Sequence, residues 1–267
     1  MLQGGTLGGS VSAKVRRLSG GVPIVMYHLV SPDRPSAFHS YSVTAADFRA
    51  QVGMLTRLRC TAVSPDDLFA AQLSGRPLPK RAVLITFDDG FEDCLRHAAP
   101  ALHEAGFQAT MYVVAGLLAS TSRWMADLGL DLPLVSAAQV RELEQAGVRC
   151  ESHSVTHPRL ASLSRESIRE ELCRSRATLE DLTGHTVRHL AYPHGSYDGR
   201  VRGEALAAGY QTAYTTRPGK AVLSDDPLAM PRVKVDGRDG RRDFLARLVT
   251  GHEAGYAARR IRGRTRA

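Results

Sequence analysis

The chain has 267 residues, of which 43% are hydrophobic and 23% are charged, and its formal net charge at pH 7 is +8. This length suits one large domain, and the composition is that of an ordinary globular protein, which excludes a chain that is disordered throughout. No apolar run approaches the roughly 20 residues that a membrane-spanning helix needs. The four cysteines stand far apart and form no C-x-x-C pair, so they predict neither a zinc ribbon nor a disulfide scaffold.

The two ends of the chain differ from its middle. We predict a flexible lead over residues 1–20, a folded domain over 21–240 and an arginine-rich tail over 241–267. The lead lacks the basic-then-apolar order of a secretory signal, which favours a cytoplasmic location. The tail has eight arginines against two acidic residues, which accounts for +6 of the total +8. Since those arginines are not interleaved with stacking aromatic residues, they favour contact with acidic lipid headgroups or a partner protein over nucleic acid, and a solvated tail is an equal alternative.

The predicted elements begin with two near-continuous apolar runs, Val22–Tyr27 and Ala82–Phe87, whose length suits strands buried on both faces. Between them, Thr44 and Asp47 resemble a cap that opens an amphipathic helix. The rest of the chain repeats one order, in which an amphipathic stretch is followed by a glycine and a short apolar run. Such glycines are typical of helix C-termini. The apolar runs predicted as further strands are Gln108–Val114, Val148–Glu151, Val187–Tyr192 and Tyr210–Thr215.

Helices that alternate with strands predict a mostly parallel sheet. Six strand candidates in one domain favour a closed or nearly closed (β/α) barrel, with an open doubly wound sheet as the alternative. The segment Ala119–Pro133, which contains Trp124 and several turn-forming residues, is predicted as an excursion on the barrel rim.

Two adjacent aspartates, Asp88 and Asp89, follow the predicted strand that ends at Phe87. Active sites of α/β folds lie at the carboxyl ends of their strands. Neighbouring residues in a strand face opposite sides, but Gly90 permits a turn that brings both carboxylates to one pocket. A turn without a function is the alternative interpretation.

Two histidines, His153 and His157, stand four residues apart after the predicted strand Val148–Glu151. Because Pro158 disfavours a helix at the residue before it, we place the pair on a strand-to-loop segment at the same barrel rim. An aspartate with two histidines leaves one coordination position open for water, which is the pattern of a catalytic zinc site. The second aspartate is then free to act as a general base.

Three phrases of the sequence resemble the first three motifs of the polysaccharide deacetylases, also called carbohydrate esterase family 4 or the NodB-homology domain. The phrases are Thr86-Phe-Asp-Asp-Gly90, His153-Ser-Val-Thr-His157 and Ala191-Tyr-Pro-His-Gly195. The resemblance spans roughly residues 22–235. It implies a distorted (β/α) barrel that removes acetyl groups, usually from N-acetylglucosamine units.

The resemblance also implies roles for individual residues. Asp88 corresponds to the general base, and the metal ligands correspond to Asp89, His153 and His157. The region of Tyr192 corresponds to the segment that supplies a backbone N–H to the oxyanion and lines the sugar site.

The chain departs from the usual family pattern in two places. The arginine of the third motif is replaced by Ala191, and Arg232 is a candidate to hold the general base instead. The C-terminal Leu-x-His motif, which supplies the general acid, is missing. Met26-Tyr-His28 has the same form, which resembles the circularly permuted branch of poly-N-acetylglucosamine deacetylases and makes His28 the candidate acid. The role of His194 is left open.

These features predict a metal-dependent N-deacetylase that acts on an acetylated saccharide or glycoconjugate and not on nucleic acid. Two imidazoles and a carboxylate suit Zn, Co, Ni or Fe, and Zn is favoured as the one divalent cofactor. An O-acetyl esterase or a cyclic-amide hydrolase with the same site is an alternative, and so is a sugar-binding module without catalysis.

Overall fold

The computed structural model describes residues 20–252. Its strands are β1 (Ile24–Tyr27), β2 (Leu29–Val30), β3 (Ser42–Val43), β4 (Thr61–Ala62), β5 (Ala82–Phe87), β6 (Ala109–Val113), β7 (Val148–Ser152), β8 (His189–Ala191), β9 (Thr212–Pro218) and β10 (Met230–Lys234). Its α-helices are α1 (Ala45–Arg57), α2 (Pro65–Ser74), α3 (Ala99–Ala105), α4 (Ala137–Gln145), α5 (Arg165–Thr183), α6 (Gly199–Ala207) and α7 (Arg241–Thr250).

Within the described residues, seven parallel strands close into a barrel in the order β1, β10, β9, β8, β7, β6, β5. The ring closes because β1 pairs with β10 on one side and with β5 on the other, where Ile24 lies opposite Leu84. β4 pairs in parallel with the first residues of β5, where Thr61 lies opposite Ala82. The predicted (β/α) barrel is confirmed, and the open doubly wound sheet is excluded.

The barrel has a small interior cluster and a larger outer layer under the helices. The interior cluster contains Ile24, Leu84, Tyr112, Tyr214 and Met230, one from each of five strands. Leu68 of α2 belongs to the same cluster, so α2 packs against the barrel interior. The alternate residues of the strands pack outward, where the helices bury them, and this is why the strands are apolar on both faces.

The glycines that were expected to end helices do so. Gly106, Gly184 and Gly209 have φ angles of 68°, 75° and 89° after α3, α5 and α6. Only a residue without a β-carbon adopts this left-handed conformation at little cost, so each glycine marks the point where the chain leaves its helix and enters the next strand.

The sequence did not predict β10, α2 and α7. Pro231 and Arg232 interrupt the apolar character of β10, although all but its last residue are buried. The prediction of a tail from residue 241 is wrong in its first part, because Arg241–Thr250 form α7 with Phe244 and Leu248 buried. Residues 253–267 of the predicted tail and residues 1–19 of the predicted lead lie outside the described residues. No helix between residues 20 and 252 combines the length and apolar character required to cross a membrane.

Candidate active site

The candidate active site lies at the carboxyl ends of several strands. Its side chains follow the inward-facing side chains of those strands. Side chains of a strand alternate between its two faces, so every second residue from the interior cluster also faces inward. This alternation leads from Ile24 to His28 after β1, from Leu84 to Asp88 after β5 and from Met230 to Arg232 within β10. His153 directly follows β7. The residues singled out in the sequence therefore share one pocket because their strands have matching registers.

Asp89 would face outward in a straight strand, but the backbone turns at this residue. Its φ angle is +76°, and Gly90 follows with a φ of +77°. The turn brings the carboxylate of Asp89 beside the two predicted histidine ligands. The expected turn of the Asp-Asp-Gly segment is present.

Asp89, His153 and His157 form a buried triangle. The Oδ1 atom of Asp89 lies 3.3 Å from Nε2 of His153 and 3.2 Å from Nε2 of His157. Within the part of the chain that the structure describes, this is the one group of three acidic, histidine or cysteine residues whose ligand atoms lie within 4.8 Å of one another.

The hydrogen bonding of the histidines fits a metal ion of the zinc type. Nδ1 of His153 lies 2.7 Å from the carbonyl oxygen of Ala191. A carbonyl only accepts, so Nδ1 carries the proton and Nε2 keeps its lone pair. Burial lowers the pKa of His157 despite the neighbouring Asp89 carboxylate, which favours the neutral ring that a metal requires.

Asp88 is held by a buried bidentate ion pair. Nη1 of Arg232 donates to Oδ1 of Asp88 at 2.7 Å, and Nη2 donates to Oδ2 at 2.6 Å. Nε of Arg232 donates to the carbonyl of Thr215, so the guanidinium is anchored on its other side. Burial alone raises the pKa of Asp88, but the charge and hydrogen bonds of Arg232 bring it below its usual value.

His28 follows β1 and lies near the carboxylates of Asp88 and Asp89. Its ring contacts Tyr41 edge-to-face with centroids 4.8 Å apart, and Phe38 lies behind at 6.1 Å. Burial lowers the pKa of His28, while the charges of Asp89 and Asp88 oppose that change. His28 therefore stands between an aromatic wall and the acidic part of the pocket.

The structure corrects the prediction for Tyr192. Its N–H donates to the carbonyl of Tyr214 at 3.0 Å, as part of the pairing of β8 with β9. Its side chain is fully buried and donates to the carbonyl of Leu228. Tyr192 thus has neither a free N–H for an oxyanion nor an exposed surface for a sugar. The motif alone does not show that strand pairing uses this N–H.

Two further aromatic contacts border the site. Trp124 stacks on the ring of His157 with centroids 4.2 Å apart, and His194 meets the same ring at 4.5 Å. The sequence placed Trp124 on an excursion at the barrel rim. Its contact with a predicted metal ligand was not foreseen, since it requires the Ala119–Pro133 excursion to fold back over His157.

Left-handed backbone conformations concentrate here. Asp89, Ser154, His157 and His194 have φ angles of +76°, +65°, +62° and +57°. A non-glycine residue in this region costs roughly 1–2 kcal/mol, so the surrounding contacts must hold these residues in place.

Comparisons with known proteins agree with this geometry. A sequence model of the family described as polysaccharide deacetylase matches residues 75–213. Protein YxkH of Bacillus subtilis (strain 168), which is named for the same family, is 26% identical over 214 residues that cover 80% of this chain and 71% of that protein. The poly-beta-1,6-N-acetyl-D-glucosamine N-deacetylase of Escherichia coli (strain K12) is 22% identical over 87% of this chain, but the match covers only 39% of that protein. The solved structure of Streptococcus pyogenes deacetylase PplD in complex with acetate has the same fold, with a TM-score of 0.74 and 24% identity over 85% of this chain and 97% of that one.

Proposed function

The chain belongs to the polysaccharide deacetylase family, and we propose that it is a metal-dependent hydrolase that removes the N-acetyl group from a sugar of the N-acetylglucosamine type. The observation that carries this proposal is the pairing of two buried units in one pocket. One is the Asp89, His153 and His157 triangle, and the other is Asp88 held by Arg232. The first unit suits a metal ion, and the second suits a general base.

We assign Asp89, His153 and His157 as the metal ligands, with Zn²⁺ as the favoured ion. When bound, such an ion supplies the polarisation of a carbonyl group and the acidification of water. Three ligands of nitrogen and oxygen type are the usual protein contribution to a catalytic zinc site.

Asp88 serves as the general base in this proposal. Arg232 occupies one lone pair on each carboxylate oxygen, and a second lone pair on each remains to take a proton from water. The bidentate contact keeps the carboxylate ionised and oriented, so Arg232 acts as a positioning residue. General-base catalysis of this kind contributes about 10²–10⁴-fold to the rate.

In this proposal His28 serves as the general acid, because it lies close enough to Asp88 and Asp89 for their charges to act on it and its ring can give a proton to the departing amine. For the oxyanion we replace Tyr192 by the amide of His194. Pro193 has no N–H, and the amides of Gly195 and Ser196 donate to backbone carbonyls. The amide of His194 is the one left in this turn, and its ring lies against that of His157.

The named relatives support one substrate class. The E. coli relative is named for action on poly-beta-1,6-N-acetyl-D-glucosamine, and the position of the histidine motif at His28 resembles the same branch. We therefore favour a β-linked N-acetylglucosamine saccharide as substrate. For residues 253–267, contact with acidic lipid headgroups or a partner protein stays a prediction from their five arginines and one glutamate.

The test is acetate release from N-acetylated and O-acetylated saccharides, measured side by side with the purified protein before and after chelation and after Zn²⁺ is restored. We expect release from β-1,6-linked N-acetylglucosamine oligomers that stops on chelation and returns with the ion. Faster release from the O-acetyl substrate would favour an esterase. Sugar binding without any acetate release would favour a binding module and contradict the proposal.

A further inference from the structure

The two histidines of the site are held in different ways. Nδ1 of His153 is tied to the carbonyl of Ala191. Nδ1 of His157 is buried and has no hydrogen-bond partner among the described residues. Apart from the contact of its Nε2 with Asp89, the position of the His157 ring therefore depends on the backbone that carries it and on packing against Trp124 and His194.

That backbone is a tight turn after β7 with two strained residues. Ser154 and His157 both have left-handed φ angles, and the hydroxyl of Ser154 accepts from the N–H of His157 at 3.1 Å. A strained turn keeps its shape only where its surroundings hold it. Val155 and Thr156 lie between these two strained residues, so contacts to their peptide groups fix the shape of the turn.

Glu171 of α5 holds the turn from one side. Its Oε2 accepts from the N–H of Val155 at 2.8 Å and from the N–H of Thr156 at 2.9 Å, and its Oε1 accepts from the hydroxyl of Thr156 at 2.6 Å. Hydrogen bonds to a carboxylate are about twice as strong as neutral ones. Three of them on two successive residues fix the orientation of both peptide groups.

The segment after β6 holds the turn from the other side. The N–H groups of Ala115 and Gly116 donate to the carbonyls of Ser154 and Val155 at 3.0 and 2.9 Å. A β-carbon at Gly116 would lie 2.7 Å from the carbonyl oxygen of Val155 and 2.5 Å from its side chain. The turn is thus clamped between a glycine and a carboxylate.

We propose that Glu171 is a positioning residue for the metal ligand His157, because it fixes the turn that carries this ring, whose Nδ1 has no hydrogen-bond partner among the described residues. The inference rests on the proposed metal site. It assigns Glu171 no contact with the substrate, the ion or the reacting atoms.

The test measures metal affinity rather than turnover. Metal-free wild-type protein and the Glu171→Ala variant are titrated with Zn²⁺ in competition with a chelating dye, and fluorescence of Trp124, the chain's single tryptophan, reports the surroundings of His157. We expect Glu171→Ala to weaken Zn²⁺ binding about 10- to 100-fold, as loss of supporting contacts around metal ligands does elsewhere. Glu171→Gln should recover most of the affinity, since its amide oxygen can accept from both N–H groups.

A matched control is Glu170→Ala, which removes an exposed carboxylate of the same helix that pairs with Arg174. It should bind Zn²⁺ like wild type. Gly116→Ala displaces the turn from the opposite side and should also weaken binding, which keeps the test valid if Glu171→Ala folds poorly. Far-UV circular dichroism and the melting temperature of each metal-free variant give its folded fraction.

Zn²⁺ affinity in folded Glu171→Ala or Gly116→Ala equal to that of wild type would overturn the inference. So would an equal loss in Glu170→Ala. A wild type that binds Zn²⁺ but releases no acetate would contradict the proposed function, while a selective loss in Glu171→Ala would still support the positioning role.

Discussion

The barrel buries ionisable side chains at both of its ends, but the two groups are paired in different ways. At the amino end, His189 begins β8 and is fully buried. Its Nδ1 lies 2.7 Å from the hydroxyl of Thr212, and its Nε2 lies 3.1 Å from Oδ1 of Asp66. Buried Glu151 accepts from the N–H groups of Arg188 and His189. Each polar atom of this amino-end cluster has a partner, and none of its residues has a left-handed backbone.

At the carboxyl end, the ligand atoms face one another instead. The two Nε2 atoms of His153 and His157 converge on a single oxygen of Asp89, and the turns that carry them are strained. Burial of charged residues therefore does not by itself mark a functional site, because both ends have it. The candidate active site differs from a structural network in two ways: its ligand atoms converge on one point, and the turns that carry them are strained.

The sharpest test of this contrast exchanges one histidine at each end for alanine. His153→Ala should abolish both Zn²⁺ retention and acetate release, because it removes one of three ligands. His189→Ala should keep the metal and lose about 2 kcal/mol of unfolding free energy, because it removes a buried side chain and leaves the buried hydroxyl of Thr212 without its imidazole partner. Metal analysis, acetate release and urea unfolding of both variants check this. Retained metal in His153→Ala would break the contrast.

The next largest effect is expected at Asp88. Asp88→Asn should lower kcat by about 10²–10⁴-fold with metal content unchanged, since the amide cannot accept the proton from water. The same variant leaves Arg232 buried without its counter-charge, so we also expect the melting temperature to fall. The assay is steady-state kinetics with metal analysis on the same sample. Loss of the metal instead would mean that the roles of Asp88 and Asp89 are exchanged.

A third test asks whether His28 is a general acid or a structural residue. His28→Ala should lose about 10²-fold or more on an N-acetyl sugar, whose amine must be protonated to leave. It should lose much less on an aryl acetate, whose leaving group needs little protonation. The ratio of the two losses is the measurement. Equal losses on both substrates would assign His28 a structural role like that of His189.

The smallest effect belongs to the amino-end cluster and depends on pH. A hydrogen bond from His189 lowers the pKa of Asp66 to about 2, against the opposing effect of burial. Because the pKa is lower in the folded state than the ordinary 3.8, the carboxylate stabilises the fold above about pH 4, and this contribution is lost as the pH falls through about 2.

Asp66 is more than a third exposed, so solvent screening limits the contribution to about 1 kcal/mol. Urea unfolding of wild type and Asp66→Asn at several pH values should give a difference that shrinks from pH 6 to pH 2. Acetate release at pH 7 should not change. A constant difference across this range would contradict the assigned pairing.

Much of the barrel and of the metal triangle could be predicted from the sequence because their signals are local. Apolar runs of strand length, glycines at helix ends and the spacing of His153, His157 and Pro158 all depend on neighbouring residues. The predicted strand Ala82–Phe87 has those bounds in the structure. β10 escaped prediction because Arg232 within it is charged, and a buried charge is acceptable only with its distant partner in place.

The tertiary structure alone decided what depends on residues far apart in the chain. Asp88 and Arg232 are separated by 144 residues, and they meet only because β1 closes the ring between β5 and β10. The pairing of β8 with β9 uses the N–H of Tyr192 as a hydrogen-bond donor. The packing of α5 brings Glu171 to the turn before His157. Sequence determines residue types and local periodicity, whereas strand register and ring closure decide which side chains share a pocket, because those contacts form only when the whole barrel is assembled.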